Sequence, residues 1–364
     1  MVKDKISKTT IFIALFIILL TSCQSNTLTS SQTHGTIQVT DALQRTILLD
    51  RPPERIIVVG KASFMILDSF YLFPGAGDKL IAYSGGGVND PKSFLSLIDT
   101  QLESKQVLEY EVGPEQVAAL KPDLVLMKSY LASKSGAALE KLGIKVCYLD
   151  LETPETFLRD IGILGTILNM PERAKQIQNF YQTRLNFVQK KTQNLSFKPK
   201  VLLAQYSEKG GSGSLSVPPA SWIQTAMVSL SGGEPVWASS SQGGGYTVVN
   251  FEQVLFWNPD ILILVAYGQD SSSIAKKLKE DPKWRELKAV KENALYGFPA
   301  DFFSWDQPDP RWILGLEWVA GRLHPELFTL KMREEVRKFY EELYGLSPEK
   351  INDLIFPALK GDLD

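Results

Sequence analysis

Side chains able to bind a ligand follow several predicted strands, at the point where each strand ends. The first example is the apolar run 55–60, which is followed by Lys61 and Ser63. Ligands of open α/β sheets bind beyond the carboxyl ends of the strands, so we expect these residues at the mouth of a binding site. The same reasoning adds four residues at later strand ends: Ser84, Lys128, Tyr206 and Tyr267.

An aromatic loop follows the last predicted strand, at 296–298. Trp305 lies in this loop, and Arg311 stands at the start of the helix after it. Aromatic walls and a buried guanidinium suit a bulky, partly apolar, anionic ligand, so we predict that Trp305 and Arg311 contact it. Trp312 and Trp318, six residues apart in an apolar helix, are interpreted as core.

The chain is poor in metal-binding side chains, since its two histidines are His34 and His324. Bare zinc or manganese sites use clustered His and carboxylate ligands, so none is expected, and neither is a resident cofactor. Haem bound through an axial His is disfavoured, although Tyr206, Tyr246 or Tyr267 are possible iron ligands. A preformed chelate needs no protein ligand to its metal. An oxyanion would instead use backbone N–H groups and hydroxyls at the Gly- and Ser-rich strand ends, such as Gly85–Gly87.

The sequence also lacks the common hydrolase motifs, because neither G-x-S-x-G nor H-E-x-x-H occurs. We therefore expect a binding protein without catalytic residues. An exported hydrolase with a carboxylate pair stays as the competing class.

An internal repeat defines the elements that position these residues. Glu115-Gln116-Val117 and Glu252-Gln253-Val254 are each followed, four residues later, by Pro-Asp and an apolar strand. Each copy continues with a helix and another strand. Two such units predict two α/β lobes.

Between the copies lies a long amphipathic segment, from about Pro171 to Asn194. Its apolar residues are spaced by three and four, which predicts one helix with a buried stripe: Ala174, Ile177, Tyr181, Leu185 and Val188. The predicted fold is thus two Rossmann-like lobes joined by a single long rigid helix, with the ligand cleft between them.

The amino terminus predicts export. Lysines precede a short apolar core, and Leu20-Thr21-Ser22-Cys23 closes it as a lipobox, whereas the apolar run is too short for a comfortable membrane span. Cys23 is then the lipidated first residue of the mature chain.

The near-zero net charge of -2 argues against nucleic acid as a partner. The predicted division is signal peptide 1–23, tether 24–36, first lobe 37–168, linker helix 169–196, second lobe 197–328 and a helical tail 329–364 packed on the second lobe.

Several segments in this order resemble one family, the solute-binding proteins of ABC importers for ferric siderophores, haem and cobalamin. The resemblance covers residues 37 to about 328, and it is carried by the lipobox and by Asp41–Thr46, Pro52–Ile57, Leu120–Val125, Leu142–Val146 and Pro308–Gly321. It implies the same two-lobed fold.

The resemblance also implies the function and the partners. In the family, a glutamate at the tip of each lobe docks on arginines of the permease, and Glu115 and Glu252 occupy those positions here. The expected protein is a monomer, anchored through Cys23 to the outer side of a bacterial membrane, that serves a permease and its ATPase. The favoured cargo is an iron(III)-siderophore complex. A corrinoid, haem, molybdate or tungstate are the alternatives within the family, and a sensor lipoprotein is an alternative outside it.

Overall fold

The computed structural model describes residues 36–86, 90–209 and 212–363. The predicted signal peptide, Cys23 and the tether up to residue 35 lie outside the described residues, as does Gly87. From Thr36 onward the chain forms one compact unit. Within the described ranges, no helix combines the length and the apolar character needed to cross a membrane.

The first lobe opens with an antiparallel hairpin of β1 (Ile37–Thr40) and β2 (Thr46–Leu49). Its sheet consists of β3 (Ile56–Val58), β4 (Leu80–Ser84), β5 (Gln106–Leu108), β6 (Leu124–Lys128) and β7 (Val146–Leu149). Its helices are α1 (Ser63–Phe70), α2 (Ala76–Lys79), α3 (Lys92–Ile98), α4 (Pro114–Ala119), α5 (Ala137–Lys141) and α6 (Pro154–Ile167).

The five strands β3 to β7 are all parallel, in the order β5-β4-β3-β6-β7. Both faces of β3 are covered, since Ile56 and Val58 belong to one apolar cluster and Ile57 to another. Burial on two sides is why this strand has an uninterrupted apolar sequence. The chain leaves β3 towards β4 and later returns to its other side at β6, which creates a crevice at the carboxyl ends of β3 and β6.

The two lobes are joined by α7 (Pro171–Thr192). Pro171 occupies its first turn, where a missing N–H is tolerated, and the five predicted stripe residues are all buried. Helix α6 packs closely against it at Gly165, where an added Cβ would lie 2.4 Å from the Cβ of Ala174. The glycine therefore permits the contact between the two helices.

The second lobe has a mixed sheet. Its strands are β8 (Lys200–Lys209), β9 (Ser212–Val217), β10 (Glu234–Pro235), β11 (Thr247–Val249), β12 (Ile261–Val265) and β13 (Leu295–Gly297). The order is β11-β9-β8-β12-β13, with β10 paired to the start of β8. Strands β8, β12 and β13 are parallel, whereas β9 runs antiparallel to β8.

The helices of the second lobe and the tail complete the fold. They are α8 (Ile223–Leu230), α9 (Phe251–Trp257), α10 (Ser271–Glu280), α11 (Lys288–Lys291), α12 (Trp312–Leu323), α13 (Met332–Tyr344) and α14 (Pro348–Lys350). The two lobes and the single connecting helix confirm the predicted fold class.

The repeated Pro-Asp has the same structural role in both lobes. Asp123 Oδ2 accepts hydrogen bonds from the backbone N–H groups of Glu54 and Arg55, at the start of β3. Asp260 Oδ2 likewise accepts from the N–H of Lys200, at 2.7 Å, where β8 begins. Each aspartate thus ties the start of its own strand to the start of the neighbouring one.

A buried ionic cluster joins the lobes beside the linker helix. Arg311 is fully buried, with Nε 2.6 Å from Asp301 Oδ1, and its Nη1 pairs with Asp68 of α1. Tail helix α13 adds two tyrosines: Tyr340 donates to Asp301 at 2.6 Å, and Tyr344 donates to Asp68 at 2.7 Å. The contacts of the tail therefore reach both lobes.

Candidate functional site: a cavity between the lobes

The candidate site is a cavity of about 760 Å³ between the two lobes. The carboxyl end of every strand in the first sheet supplies part of one wall. The lining residues in that wall are Lys61, Ala62, Phe64 and Met65 after β3, Gly86 after β4, Tyr110 after β5, Ser129 and Tyr130 after β6, and Glu152 after β7.

Short hydrogen-bonded turns hold this wall in place. The turn after β3 has a positive φ at Gly60 and at Ala62, and the exposed Lys61 lies between them. The Tyr130 hydroxyl donates to the carbonyl oxygen of Lys61 at 3.0 Å, which links the ends of β3 and β6.

The opposite wall comes from the second lobe. It contains Trp222 and Gln224 at the start of α8, Gly244, Gly245 and Tyr246 before β11, Tyr267 after β12, and Gln307 and Pro308 before α12. The Trp222 and Tyr246 rings meet edge to face, with centroids 5.3 Å apart. Aromatic rings therefore line the cavity from both lobes.

Asp306 lies fully buried behind this second wall and organises its polar groups. Its Oδ2 accepts hydrogen bonds from the Tyr267 hydroxyl at 2.8 Å and from Gln224 Nε2 at 3.2 Å. The hydroxyls of Tyr246 and Tyr267 are 2.7 Å apart. Burial raises the pKa of Asp306, while hydrogen bonding from Ser304, Tyr267 and Gln224 opposes that shift. Burial likewise raises the pKa of both tyrosines, so their hydroxyls remain protonated at neutral pH.

On the first wall, the Glu152 carboxylate is fixed from behind by a buried lysine. Lys128 Nζ lies 2.6 Å from Glu152 Oε1 and also donates to the backbone carbonyl of Asp150. Lys128 is 1% exposed and does not itself line the cavity. The Lys128–Glu152 pair therefore adds no net charge to this wall.

Of the residues predicted to bind ligand, Lys61 and Tyr267 line the cavity. Ser63 and Ser84 are fully buried one layer behind it. The Ser63 hydroxyl donates to the Ser84 carbonyl oxygen at 3.0 Å, and Ser84 Oγ accepts from the Gly60 N–H at 3.1 Å. Both hydroxyls thus stabilise the strand ends.

Tyr206 lies away from the cavity, because β8 continues to Lys209 instead of ending near Gln205. Antiparallel pairing with β9 extends this strand. Tyr206 lines a separate groove, which also includes Glu252.

Trp305 and Arg311 have no exposed surface. Trp305 Nε1 donates to Asp301 at 3.2 Å, and Arg311 pairs with the carboxylates of the inter-lobe cluster described above. The predicted aromatic wall is instead formed by Trp222, and the predicted ligand contact of the buried guanidinium is replaced by its contacts with Asp68 and Asp301.

The two predicted docking residues occupy equivalent positions. Glu115 lies in the first turn of α4 and Glu252 in the first turn of α9, and both are exposed. Each helix ends just before the amino end of a parallel strand, β6 or β12, so its first turn lies towards the sheet edge that borders the cavity. Leu255 and Phe256 of α9, 43% and 82% exposed, follow Glu252 by three and four residues and share its helix face.

Sequence reasoning missed several lining residues. Tyr110, Tyr130 and Glu152 follow the ends of strands, so the strand-end reasoning that identified Lys61 could have identified them as well. Gln224 and Gln307 carry no such signal, because each lies at or just before the start of a helix and reaches the cavity through tertiary packing.

Two α/β lobes that are joined by one helix and share a cavity at their strand ends define a two-lobed solute-binding protein. The chain belongs to the periplasmic binding protein family, whose profile matches residues 96–302. Proteins of this family bind solutes for ABC importers and are exported. The predicted family is thereby confirmed.

Known relatives agree with this assignment. The chain is 26% identical over 300 residues to the high-affinity heme uptake system protein IsdE of Staphylococcus aureus, a match that covers 80% of this chain and 89% of that protein. A periplasmic solute-binding protein from Veillonella parvula has a similar structure, with a TM-score of 0.70, 25% identity, and coverage of 88% of this chain and 97% of that one. The molybdate-bound MolA of Haemophilus influenzae shares the fold, with a TM-score of 0.69, 18% identity, and coverage of 85% and 98%.

Proposed function

We propose that this protein captures a metal chelate, in the first place an iron(III)-siderophore complex, and delivers it to the permease of an ABC importer. The observation that carries this proposal is the cavity itself. Its volume of about 760 Å³ is in the range of sites for small organic molecules and is far larger than a tetrahedral oxyanion needs.

The character of the walls supports a chelate. Aromatic rings and Met65 offer apolar surface to the organic shell of such a ligand, and a metal that is already coordinated needs no protein ligand. Among the described residues, no group of three or more His, Cys, Asp or Glu side chains is arranged to hold a metal ion. This distribution supports recognition of the organic shell.

Haem is the second candidate, because IsdE is named for heme uptake. Four tyrosines line the cavity and could supply a ligand to its iron. The hydroxyls of Tyr246 and Tyr267 bond to each other, and Tyr267 also bonds to Asp306. The hydroxyls of Tyr110 and Tyr130 donate to backbone carbonyl oxygens. Haem binding through any of these hydroxyls would break a hydrogen bond of the protein, and for this reason the siderophore complex is ranked first.

Delivery is proposed to use Glu115 and Glu252 as docking groups for cations on the permease. The exposure of both carboxylates and their equivalent places in the two lobes support this role. Exposed Leu255 and Phe256 beside Glu252 provide apolar surface for the same contact. A lipid on Cys23 is proposed to keep the protein near the permease.

The ligand class is tested by tryptophan fluorescence of the chain from Gln24 onward. Ferric siderophores, haem, a corrinoid, molybdate and tungstate are titrated separately. We expect saturable quenching by a ferric siderophore, reported by Trp222 and lost in Trp222→Phe. A response restricted to molybdate or tungstate would reject the chelate.

Docking is tested by uptake in cells that produce Glu115→Ala, Glu252→Ala or the double variant. We expect ligand affinity in solution to be unchanged and uptake to fall, most in the double variant. Glu326→Ala, which removes another exposed carboxylate, is the matched control. Normal uptake by the double variant would reject the docking assignment.

A further inference from the structure

We infer that the cavity recognises hydrogen-bond donors supplied by the ligand, so that the cargo is an uncharged or cationic chelate with N–H groups on its edge, of the iron(III) trihydroxamate type. This inference rests on the proposed function and specifies the cargo within it. It is carried by the hydrogen-bonding state of three buried side chains in the second lobe.

The hydrogen-bond donors next to Asp306 are already used within the protein. The Tyr267 hydroxyl donates to Asp306, and Gln224 Nε2 contacts both Asp306 and the Tyr246 hydroxyl, at 3.2 and 3.5 Å. The amide of Gln224 is oriented by the carboxylate, because the opposite orientation would bring two acceptor oxygens together. Asp306 therefore takes up the hydrogens that Tyr267 and Gln224 could otherwise donate to a ligand.

The acceptors of the same wall are left without partners. Among the described residues, none donates a hydrogen bond to Gln224 Oε1 or Gln307 Oε1. Gln224 is 3% and Gln307 is 4% exposed, and both line the cavity. Buried acceptors without a donor are costly, so a ligand that supplies donors gains an interaction that the empty protein lacks. The terminal torsion of a glutamine is soft, and a small rotation turns Oε1 towards the cavity.

The charges of the cavity point the same way. Lys61 and Glu152 are the charged side chains among its described lining residues, and Glu152 is neutralised by Lys128. Asp306 lies directly behind the second wall, and its hydrogen-bond partners among the described residues are a hydroxyl and an amide, with no lysine or arginine. One exposed lysine does not match the charge of a ferric tricatecholate, whereas a neutral or singly positive chelate needs no counter-charge.

Chelates of the trihydroxamate type meet both conditions. Their metal-binding oxygens point inward, their secondary amides present N–H groups outward, and their methylene chains fit the aromatic walls. We therefore assign Gln224 and Gln307 as specificity-determining residues that accept hydrogen bonds from such amides.

The test uses the chain from Gln24 onward and four probes: ferrioxamine B, its neutral N-acetyl derivative, a ferric tricatecholate and molybdate. We expect both hydroxamates to bind, and the polyanions to bind at least a hundredfold more weakly. Equal binding of the two hydroxamates identifies the amide edge, and not the terminal ammonium, as the recognised feature.

The variants separate acceptor loss from general damage. Gln307→Met removes the acceptor and keeps the volume, and we expect about tenfold weaker hydroxamate binding, the effect of one neutral hydrogen bond. Gln307→Glu retains an acceptor and should bind within about threefold of the parent. Gln176→Met, on the exposed face of α7, is the control. Thermal unfolding of each variant confirms that it folds.

The outcomes distinguish this inference from the proposal beneath it. Preference for the tricatecholate, or unchanged hydroxamate binding by Gln307→Met, would overturn the donor assignment and leave a chelate-binding protein. Binding of molybdate alone would overturn both. Absence of binding by any metal chelate would likewise reject the proposed function together with this inference.

Discussion

Removal of the Arg311 guanidinium should destabilise the whole protein, because this group alone lies among three buried carboxylates. In Arg311→Met, Asp68, Asp301 and Asp309 lose their only cation within the described cluster. Breaking a buried ion pair from one side costs about 3–5 kcal/mol. Burial raises the pKa of both Asp68 and Asp309 above its usual range, so either carboxylate can take up a proton once the guanidinium is lost.

The expected shift in the melting temperature follows from the size of the cooperative unit. Unfolding entropy near 60 °C is about 2.1 cal/mol/K per residue, or about 0.7 kcal/mol/K for a unit of this length. A loss of 3–5 kcal/mol therefore lowers Tm by about 4–7 °C. Differential scanning calorimetry at pH 7 measures the shift.

Two comparisons make this measurement decisive. Arg333→Met removes an exposed arginine whose guanidinium lies 5.2 Å from the Phe356 ring centroid, and it should shift Tm by less than about 1.5 °C. Asp68→Asn combined with Arg311→Met should cost less than the two single changes added together, because the partners act as a unit. A drop below about 1.5 °C for Arg311→Met would refute the idea that this cluster holds the lobes together.

Three further predictions concern packing and protonation. Burial raises the pKa of Glu317 to about 8 from its ordinary 4.5, so the folded state keeps a proton that the unfolded state releases. The free energy of unfolding should therefore fall as pH rises between these values. Glu317→Gln should reduce the fall in Tm between pH 5 and 8.5, and an equal fall in the parent and the variant would contradict this. Gly165→Ala should lower the free energy of unfolding, measured in urea, by about 1–3 kcal/mol. Gly162→Ala in the same helix should be nearly neutral, because its Cβ would meet only the end of a glutamine side chain, at 3.2 Å. Asp260→Ala removes the acceptor for the backbone N–H of Lys200, where β8 begins. It should lower the free energy of unfolding by about 1–2 kcal/mol, and equal urea midpoints for the parent and the variant would contradict this.

The fold was largely predictable because its elements carry strong local signals. Strand β12 occupies the predicted residues Ile261–Val265, since a strand buried on both faces has a continuous apolar sequence. Helix α7 ends at Thr192, two residues before the predicted end, and Thr192 is also its last buried residue. The Pro-Asp repeat was visible in the sequence, but its function as a tie between neighbouring strand starts depends on sheet order.

The site was predictable only where position along a strand decides exposure. Lys61 and Tyr267 follow strands directly and line the cavity. Ser63 also follows a strand, yet its short side chain bonds to the neighbouring strand end. Trp305 and Arg311 resemble ligand-binding residues in the sequence, but both bond to the buried Asp301. Tyr340, from a helix that begins at Met332, bonds to Arg311 and Asp301 as well, and no local sequence pattern predicts these long-range contacts.

The buried cluster between the lobes has a kinetic consequence. The Asp68–Arg311 pair fixes the two lobes relative to each other. The cavity therefore exists before a ligand arrives, and capture requires little rearrangement. We expect association in a single phase whose rate is set by diffusion, with differences among cargoes expressed in their residence times. The same rigidity makes release of the ligand the demanding step, because a partner that supplies energy must separate the two lobes.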